Sequence, residues 1–239
     1  MDAASRQPLA CLRMSVGAGG ARQAHMSYPS PDETYVTVAN QNGKLLERIR
    51  TDYATDTFLH EPAATLDLAG CTTPNGLPCE SAPLRPDNAP ICPVSDATSR
   101  LVFFTLRGGG LFVVDGRTTP MAIVGEYDTT TVNGNGCMGV EVPGKMYIDS
   151  GGGTAANLHQ ADLYAFATAG YSPLNPPNTP ERALVFSDTS EEADALWRHT
   201  HQAWEIRVGG RSRPELPLGR RHRDGSDREH DSARGRGLR

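Results

Sequence analysis

The chain has 239 residues, 38% of them hydrophobic before its 25 glycines are counted, which excludes a wholly disordered polymer and allows a sizeable core. No apolar run approaches the roughly 18 residues of a membrane span, and the opening MDAASRQPLACLRM holds no stretch of signal-peptide length, so no membrane or export segment is expected unless the true start lies upstream. The compartment is left open. The net charge of −5 divides into +4 over residues 205–239 and −9 over the rest; an acidic body disfavours phosphate-backbone binding, and the basic tail has no aromatic to stack on a base, so no nucleic-acid partner is expected.

Residues 1–24 are rich in Ala, Gly and Arg and lack periodicity, which predicts a disordered arm. From His25 the text changes. Tyr35-Val36-Thr37-Val38-Ala39-Asn40 is β-branched and aromatic and follows the turn former Pro29-Ser30-Pro31-Asp32; Asn42-Gly43 then leads into Lys44–Ile49. An Asn-Gly step between two such runs is a hairpin signal. The scheme recurs at Leu101–Leu106, Gly108-Gly109-Gly110 and Leu111–Asp115, with a further strand at Met121–Val124. It recurs again at Lys145–Asp149, Gly151-Gly152-Gly153 and Asp162–Phe166. Both glycine triplets lie between strands with no helix following, so they read as hairpin or bulge glycines and not as phosphate loops. Only Glu191–Trp204, capped by Ser190, has helical character. The expectation is an all-β fold of antiparallel four-stranded units recurring about every 40–60 residues, the habit of a β-propeller; a Greek-key sandwich explains the strands but not the recurrence.

Cys71-Thr-Thr-Pro-Asn-Gly-Leu-Pro-Cys79 is a turn-rich insertion whose cysteines either close a small loop or stay free. Five cysteines leave one over, and with no visible signal peptide the reading favours reduced thiols.

The last stretch has a different character. Only two of 23 basic residues are Lys, and from Trp204 the strand pattern gives way to Arg, Gly, Ser and His. Deleting one base in a codon for Leu196 permits a frame containing Tyr-Val-Trp-Val-Ala-Asp, which matches Tyr35–Asn40 in kind and order, with a His ten positions ahead as His25 stands ahead of Tyr35. Residues 196–239 are therefore expected to be a frame-slipped, disordered basic tail, and the paired His199 and His201 accidental. The expected organisation is an arm over 1–24, a partial propeller over 25–195, and this tail.

On His25–Asn40 with its Ser-Pro-Asp turn, Leu106–Asp115 and Gly144–Ile148, the chain resembles the YVTN-type, lactonase-like seven-bladed β-propellers, which are similar in shape to quinoprotein dehydrogenase and nitrous oxide reductase propellers. The resemblance covers roughly residues 25–195 and implies shape more than chemistry, because propellers of this class include lactonases, electron-transfer enzymes and binding scaffolds. About 170 residues at some 40–45 per blade gives about four blades, too few to close such a ring. Open blade edges and apolar faces then predict self-association.

In a propeller, residues just ahead of the inner strands converge on the axis. Counting back ten from strand openings selects His25, Cys92 and Cys137, donors suited to zinc or copper. The plainer alternative is two small buried cysteines and a hydrogen-bonded histidine. Asp87 and Asn88 before Ala89-Pro90 are candidate acceptors for a polar ligand, or simply a turn. No Gly-x-Ser-x-Gly elbow is present, so a serine hydrolase has no support. Two functions remain: a non-catalytic platform binding a ligand or protein, and the remnant of a metal-dependent lactonase or oxidase with its site on the axis. Calcium is disfavoured because it would want oxygen donors there.

Overall fold

A computed structural model of the chain describes residues 7–137, 139–151, 161–172 and 182–188. They form three antiparallel sheets in chain order. The first contains β1 (Ala24–Pro29), β2 (Tyr35–Asn40), β3 (Leu45–Asp52) and β4 (Thr57–His60), with the short β5 (Leu66–Asp67) also paired to β3. The second contains β6 (Val94–Ser95), β7 (Leu101–Thr105), β8 (Leu111–Asp115) and β9 (Ala122–Tyr127). The third contains β10 (Gly139–Val142), β11 (Lys145–Gly151), β12 (Ala161–Ala167) and β13 (Arg182–Asp188). Apart from β5, every strand pairs with its sequence neighbour within its sheet, and helix among the described residues is limited to two three-residue 3-10 turns.

The apolar strands at 101–105 and 111–115 are buried along their whole length because both faces of the second sheet are covered. Val102, Phe104, Phe112 and Val114 pack toward the first sheet with Tyr35 and Leu46. Their neighbours Leu101, Phe103, Leu111 and Val113 pack the opposite way with Met146, Ile148, Tyr164 and Phe166 of the third sheet. Alternation sends successive side chains to opposite faces, so a strand covered on both sides reads as unbroken hydrophobic text. Each fully buried Phe contributes about 2–3 kcal/mol by area.

Polar clips reinforce the seam between the first and second sheets. Arg48, buried on β3, donates from Nη1 to the carbonyls of Gly116 (2.6 Å) and Thr118 (3.0 Å), and from Nη2 to Thr119 Oγ1 (2.9 Å). The Tyr35 hydroxyl donates to the Ser99 carbonyl (2.8 Å), and burial pushes its pKa up to about 12. Asp turns precede β2 and β7: Asp32 accepts from the Ser30 and Thr34 hydroxyls, and Asp96 from the backbone N–H groups of Arg100 and Leu101.

Several expectations change. The Asn42-Gly43 hairpin forms, but as the longer turn Gln41–Lys44, with Lys44 N–H on the Gln41 carbonyl and Lys44 itself in the left-handed region (φ 53°). Gly109 and Gly110 turn the β7–β8 hairpin at φ 92° and 90°, where a side chain would be strained. The length arithmetic predicts about four units, whereas the described residues hold three sheets; residues 68–93, between the first and second, supply loops and isolated bridges instead of another sheet.

The segment read as a loose arm is tied down from Met14 onward. Met14 is buried, and Ala18 N–H bonds the Gly43 carbonyl. The Glu47 carboxylate, wholly buried in β3, accepts from Ser15 N–H (2.9 Å) and Asn40 Nδ2 (2.7 Å). Cys71 and Cys79 are joined as a disulfide, as are Cys92 and Cys137, and Cys11 is the free cysteine. The reduced reading fails because it weighed composition and compartment, while folding brings each pair's Cα atoms to 5.4 and 4.8 Å, within bonding range. The odd cysteine is simply left out. The helix expected at Glu191–Trp204, the proposed frame slip, His199 and His201 lie outside the described residues. Among the described residues no helix is long and apolar enough to cross a membrane.

Candidate functional site

The three sheets begin at one place. His25 lies in β1, Cys92 two residues before β6, and Cys137 two residues before β10. The imidazole nitrogen and the two sulfurs lie within 4.8 Å of one another. Residues 67 and 112 positions apart along the chain are thus gathered by the opening of each sheet.

Local structure aims each of them. In the β1–β2 ladder Ala24 pairs with Asn40 and Met26 with Ala39, so His25 is an extra residue opposite none. A bulge of this kind redirects a side chain away from the regular alternation. The approach to β1 is held by Asn40, whose Oδ1 accepts from Gln23 N–H (2.8 Å) and whose Nδ2 donates to the Ser15 carbonyl (2.9 Å).

Thr105, at the end of β7, positions both cysteines. Its carbonyl accepts Ile91 N–H (2.9 Å), one residue before Cys92. Its hydroxyl donates to the Gly136 carbonyl (2.7 Å) and accepts from Gly136 N–H (3.0 Å), one residue before Cys137. Gly136 must be glycine because a Cβ there would lie 1.8 Å from the Asp149 carbonyl oxygen. His25 is exposed, Cys137 half-buried and Cys92 buried, so one side of the cluster is open to solvent.

With the sulfurs bonded, the group is a disulfide beside an imidazole. With them reduced, it is a Cys, Cys, His donor set. Zinc holds sulfur at about 2.3 Å and nitrogen at about 2.0 Å in tetrahedral array, which places donors about 3.5–3.8 Å apart. The sulfurs would separate to that distance and the imidazole move in by about 1 Å, adjustments within the reach of side-chain rotation.

Asp87 and Asn88 do not join this cluster. Asp87 bonds Arg107 Nε through Oδ2, stands 3.5 Å from Lys44 Nζ, and accepts Gly108 N–H at its backbone carbonyl (2.8 Å). Burial raises its pKa, but the Arg107 hydrogen bond, the Ala89 N–H and the two cations outweigh that and hold the carboxyl below its ordinary value. Asn88 is wholly buried, with Nδ2 on the Leu68 carbonyl. Asp87 therefore braces the β7–β8 turn and Asn88 the loop after β5, in keeping with the turn alternative of the sequence reading.

The residues that sequence reading missed are Thr105, Asn40 and Glu47, which position the donors. The one signal for Glu47 is a carboxylate in the middle of Leu45-Leu46-Glu47-Arg48-Ile49, where an apolar strand has no ordinary use for it.

No protein-family model and no curated protein sequence matches the chain. Among solved structures it is similar to a Lactobacillus plantarum protein at 16% identity and a TM-score of 0.48, over 75% of this chain and 44% of that one. It is also similar to a "putative 6-phosphogluconolactonase" from Bacteroides uniformis at 15% identity and a TM-score of 0.46, over 73% and 44% respectively. The chain spans less than half the length of either.

Proposed function

We propose that this chain is a section of a β-propeller acting as a metal-binding platform, with reduced Cys92 and Cys137 and the His25 imidazole holding a zinc ion where the sheets converge. The observation that carries the reading is that convergence: the opening residues of three successive antiparallel sheets gather within 4.8 Å, as sheets arranged radially about an axis require. Two thiolates and one imidazole suit zinc first and copper(I) second, since both accept soft donors. The His25 bulge and the Thr105 clamp act by positioning the three donors.

The test is metal uptake by the reduced protein. After reduction, desalting and incubation with zinc, elemental analysis is expected to find a single ion per chain. That ion is expected to disappear in His25→Ala and in the double variant Cys92→Ser, Cys137→Ser, with circular dichroism unchanged for His25→Ala. A reduced, folded protein that retains no zinc overturns the reading.

A second reading, a metal-dependent lactonase or oxidase, is favoured by the size of the donor set. Three protein ligands leave a fourth zinc position for water or substrate, the pattern of catalytic sites. Lactone hydrolysis that follows zinc loading and is lost in His25→Ala would support the hydrolytic form. Zinc uptake without turnover supports the platform alone.

A further inference from the structure

The same two sulfurs that would hold the metal are the two that form the disulfide, and the two states exclude each other. Resting on the metal-binding reading above, we infer that the Cys92–Cys137 pair is a thiol–disulfide switch that releases the ion when oxidised and admits it when reduced.

The two disulfides are placed differently. Cys71–Cys79 closes a loop of 8 residues, with Cys79 fully buried in the core between the first and second sheets. Cys92–Cys137 spans 45 residues, joins the approaches to two sheets, and lies beside His25 at the solvent-facing cluster. His25, Cys92 and Cys137 are also the group of potential metal ligands found among the described residues.

Burial sets the order of events. Cys92 is 3% exposed and Cys137 half-buried, so an external thiol reaches Cys137 first. A reductant thiolate attacks Cys137 Sγ, the sulfur–sulfur bond breaks, and Cys92 leaves as thiolate. A second reductant thiolate attacks the reductant sulfur of the mixed disulfide and releases Cys137. Two reductant thiols become one reductant disulfide, and two protein thiols form; zinc then displaces their protons. In the opposite direction a low-molecular-weight disulfide is the oxidant. The Cys137 thiolate attacks it and expels one thiolate, Cys92 attacks the mixed disulfide and expels the other, and both leaving groups take up protons. Zinc, having lost both sulfur ligands, departs. Thr105, which holds the residues before both cysteines, keeps the sulfurs facing each other in either state.

The experiment uses the full chain carrying Cys11→Ser and Cys71→Ala with Cys79→Ala, so that only the switch pair titrates. The protein is reduced with a phosphine under argon, desalted, loaded with cobalt(II) as a spectroscopic stand-in for zinc, and then treated with oxidised glutathione. The thiolate-to-cobalt charge-transfer band is expected to appear on loading and vanish on oxidation, with one ion released for each pair of thiols consumed. Mass mapping is expected to show Cys92 joined to Cys137 in the released form, and brief alkylation during reduction to label Cys137 ahead of Cys92. Wild-type protein carried through zinc loading and release to a chromogenic chelator gives the same answer should the triple variant fold poorly. If the reduced protein takes up no ion, the metal-binding reading falls and the switch with it. If it binds the ion but keeps it after the two sulfurs are joined, the platform stands and the switch is refuted.

Discussion

The two disulfides make a quantitative prediction because they close loops of very different length. Bridging residues 8 apart removes about 2.5 kcal/mol of chain entropy from the unfolded state, while bridging residues 45 apart removes about 4 kcal/mol. Substitution alone would confound this with packing, because Cys79 is fully buried and Cys137 is not. The cleaner perturbation is reduction within paired backgrounds. In Cys71→Ala with Cys79→Ala, adding reductant breaks only the long bridge; in Cys92→Ala with Cys137→Ala, it breaks only the short one. Urea unfolding followed by far-ultraviolet circular dichroism, with and without reductant and with a chelator present throughout, is expected to give a loss larger by about 1.5 kcal/mol in the first background. With a urea slope of about 2 kcal/mol/M, that is about 0.8 M between the two midpoint shifts. Equal losses, or a larger loss on breaking the 8-residue bridge, would refute the assignment of Cys92–Cys137 as the bond that constrains the approaches to two sheets.

Further expectations concern the seams and the acid limit. Arg48→Met keeps the aliphatic stem but strips the hydrogen bonds to Gly116, Thr118 and Thr119, leaving part-buried acceptors unpaired; it is expected to cost about 3 kcal/mol in urea unfolding. A cost below about 1 kcal/mol would show that the clip is solvated. Asp32, Asp87 and Asp128 are all held below their ordinary values: burial works against the charge in each, and hydrogen bonds outweigh it. Their folded pKa values lie under the unfolded value near 3.9, so their contribution is complete above that value and drains away as the pH falls through the folded values. Melting temperature is therefore expected to be level with respect to these groups between about pH 7 and 5 and to fall below about pH 4. A rise on acidification through that lower window would contradict the signs.

What could be read from sequence was whatever depends on neighbours along the chain. Leu101–Phe104 and Leu111–Val114 declare themselves as covered strands because burial on both faces demands apolar text at each of these positions. The ten-residue count reaches His25, Cys92 and Cys137 from Tyr35, Val102 and Tyr147, although β1, β6 and β10 open 11, 7 and 6 residues ahead of β2, β7 and β11; what recurs is that the segment leading into each sheet precedes its second strand by about the same length. The three side chains it names lie within 4.8 Å of one another. What stayed hidden depends on contacts between distant segments. The bulge at His25 is a property of a register between two strands, and neither strand shows it alone. The choice between disulfide and free thiol for Cys92 and Cys137 turns on a Cα separation across 45 residues. Asn88 reads as a turn residue and proves fully buried because the loop after β5 folds over it. Thr105 is one threonine among many until its hydroxyl is seen on Gly136.

The asymmetry of the sheets leads to the last expectation. The second sheet has two covered faces, whereas each flanking sheet buries one face against it. The other face of the first sheet forms an apolar groove of about 450 Å³, with Val36, Val38, Ile49 and Phe58 along its floor and Leu12 and Met14 from the preceding segment at its side. On the third sheet, Val140 pairs with Tyr147 and Val142 with Lys145, opposite in facing to the buried Met146 and Ile148; both valines are 38% exposed. On the same face Leu163 and Ala165 of β12 are buried, so the exposed apolar surface is confined to the valines of β10, each of which gains about 1–2 kcal/mol if association buries it. Self-association through these faces is expected, and Val140→Lys with Val142→Lys is expected to reduce it while lowering stability by no more than about 1 kcal/mol, since neither side chain contributes to a core cluster. Sedimentation across a concentration series is the measurement. A wild-type chain that stays monomeric at the highest concentration reached, or a double lysine variant that associates as strongly as wild type, would mean that the exposed valines are ordinary surface.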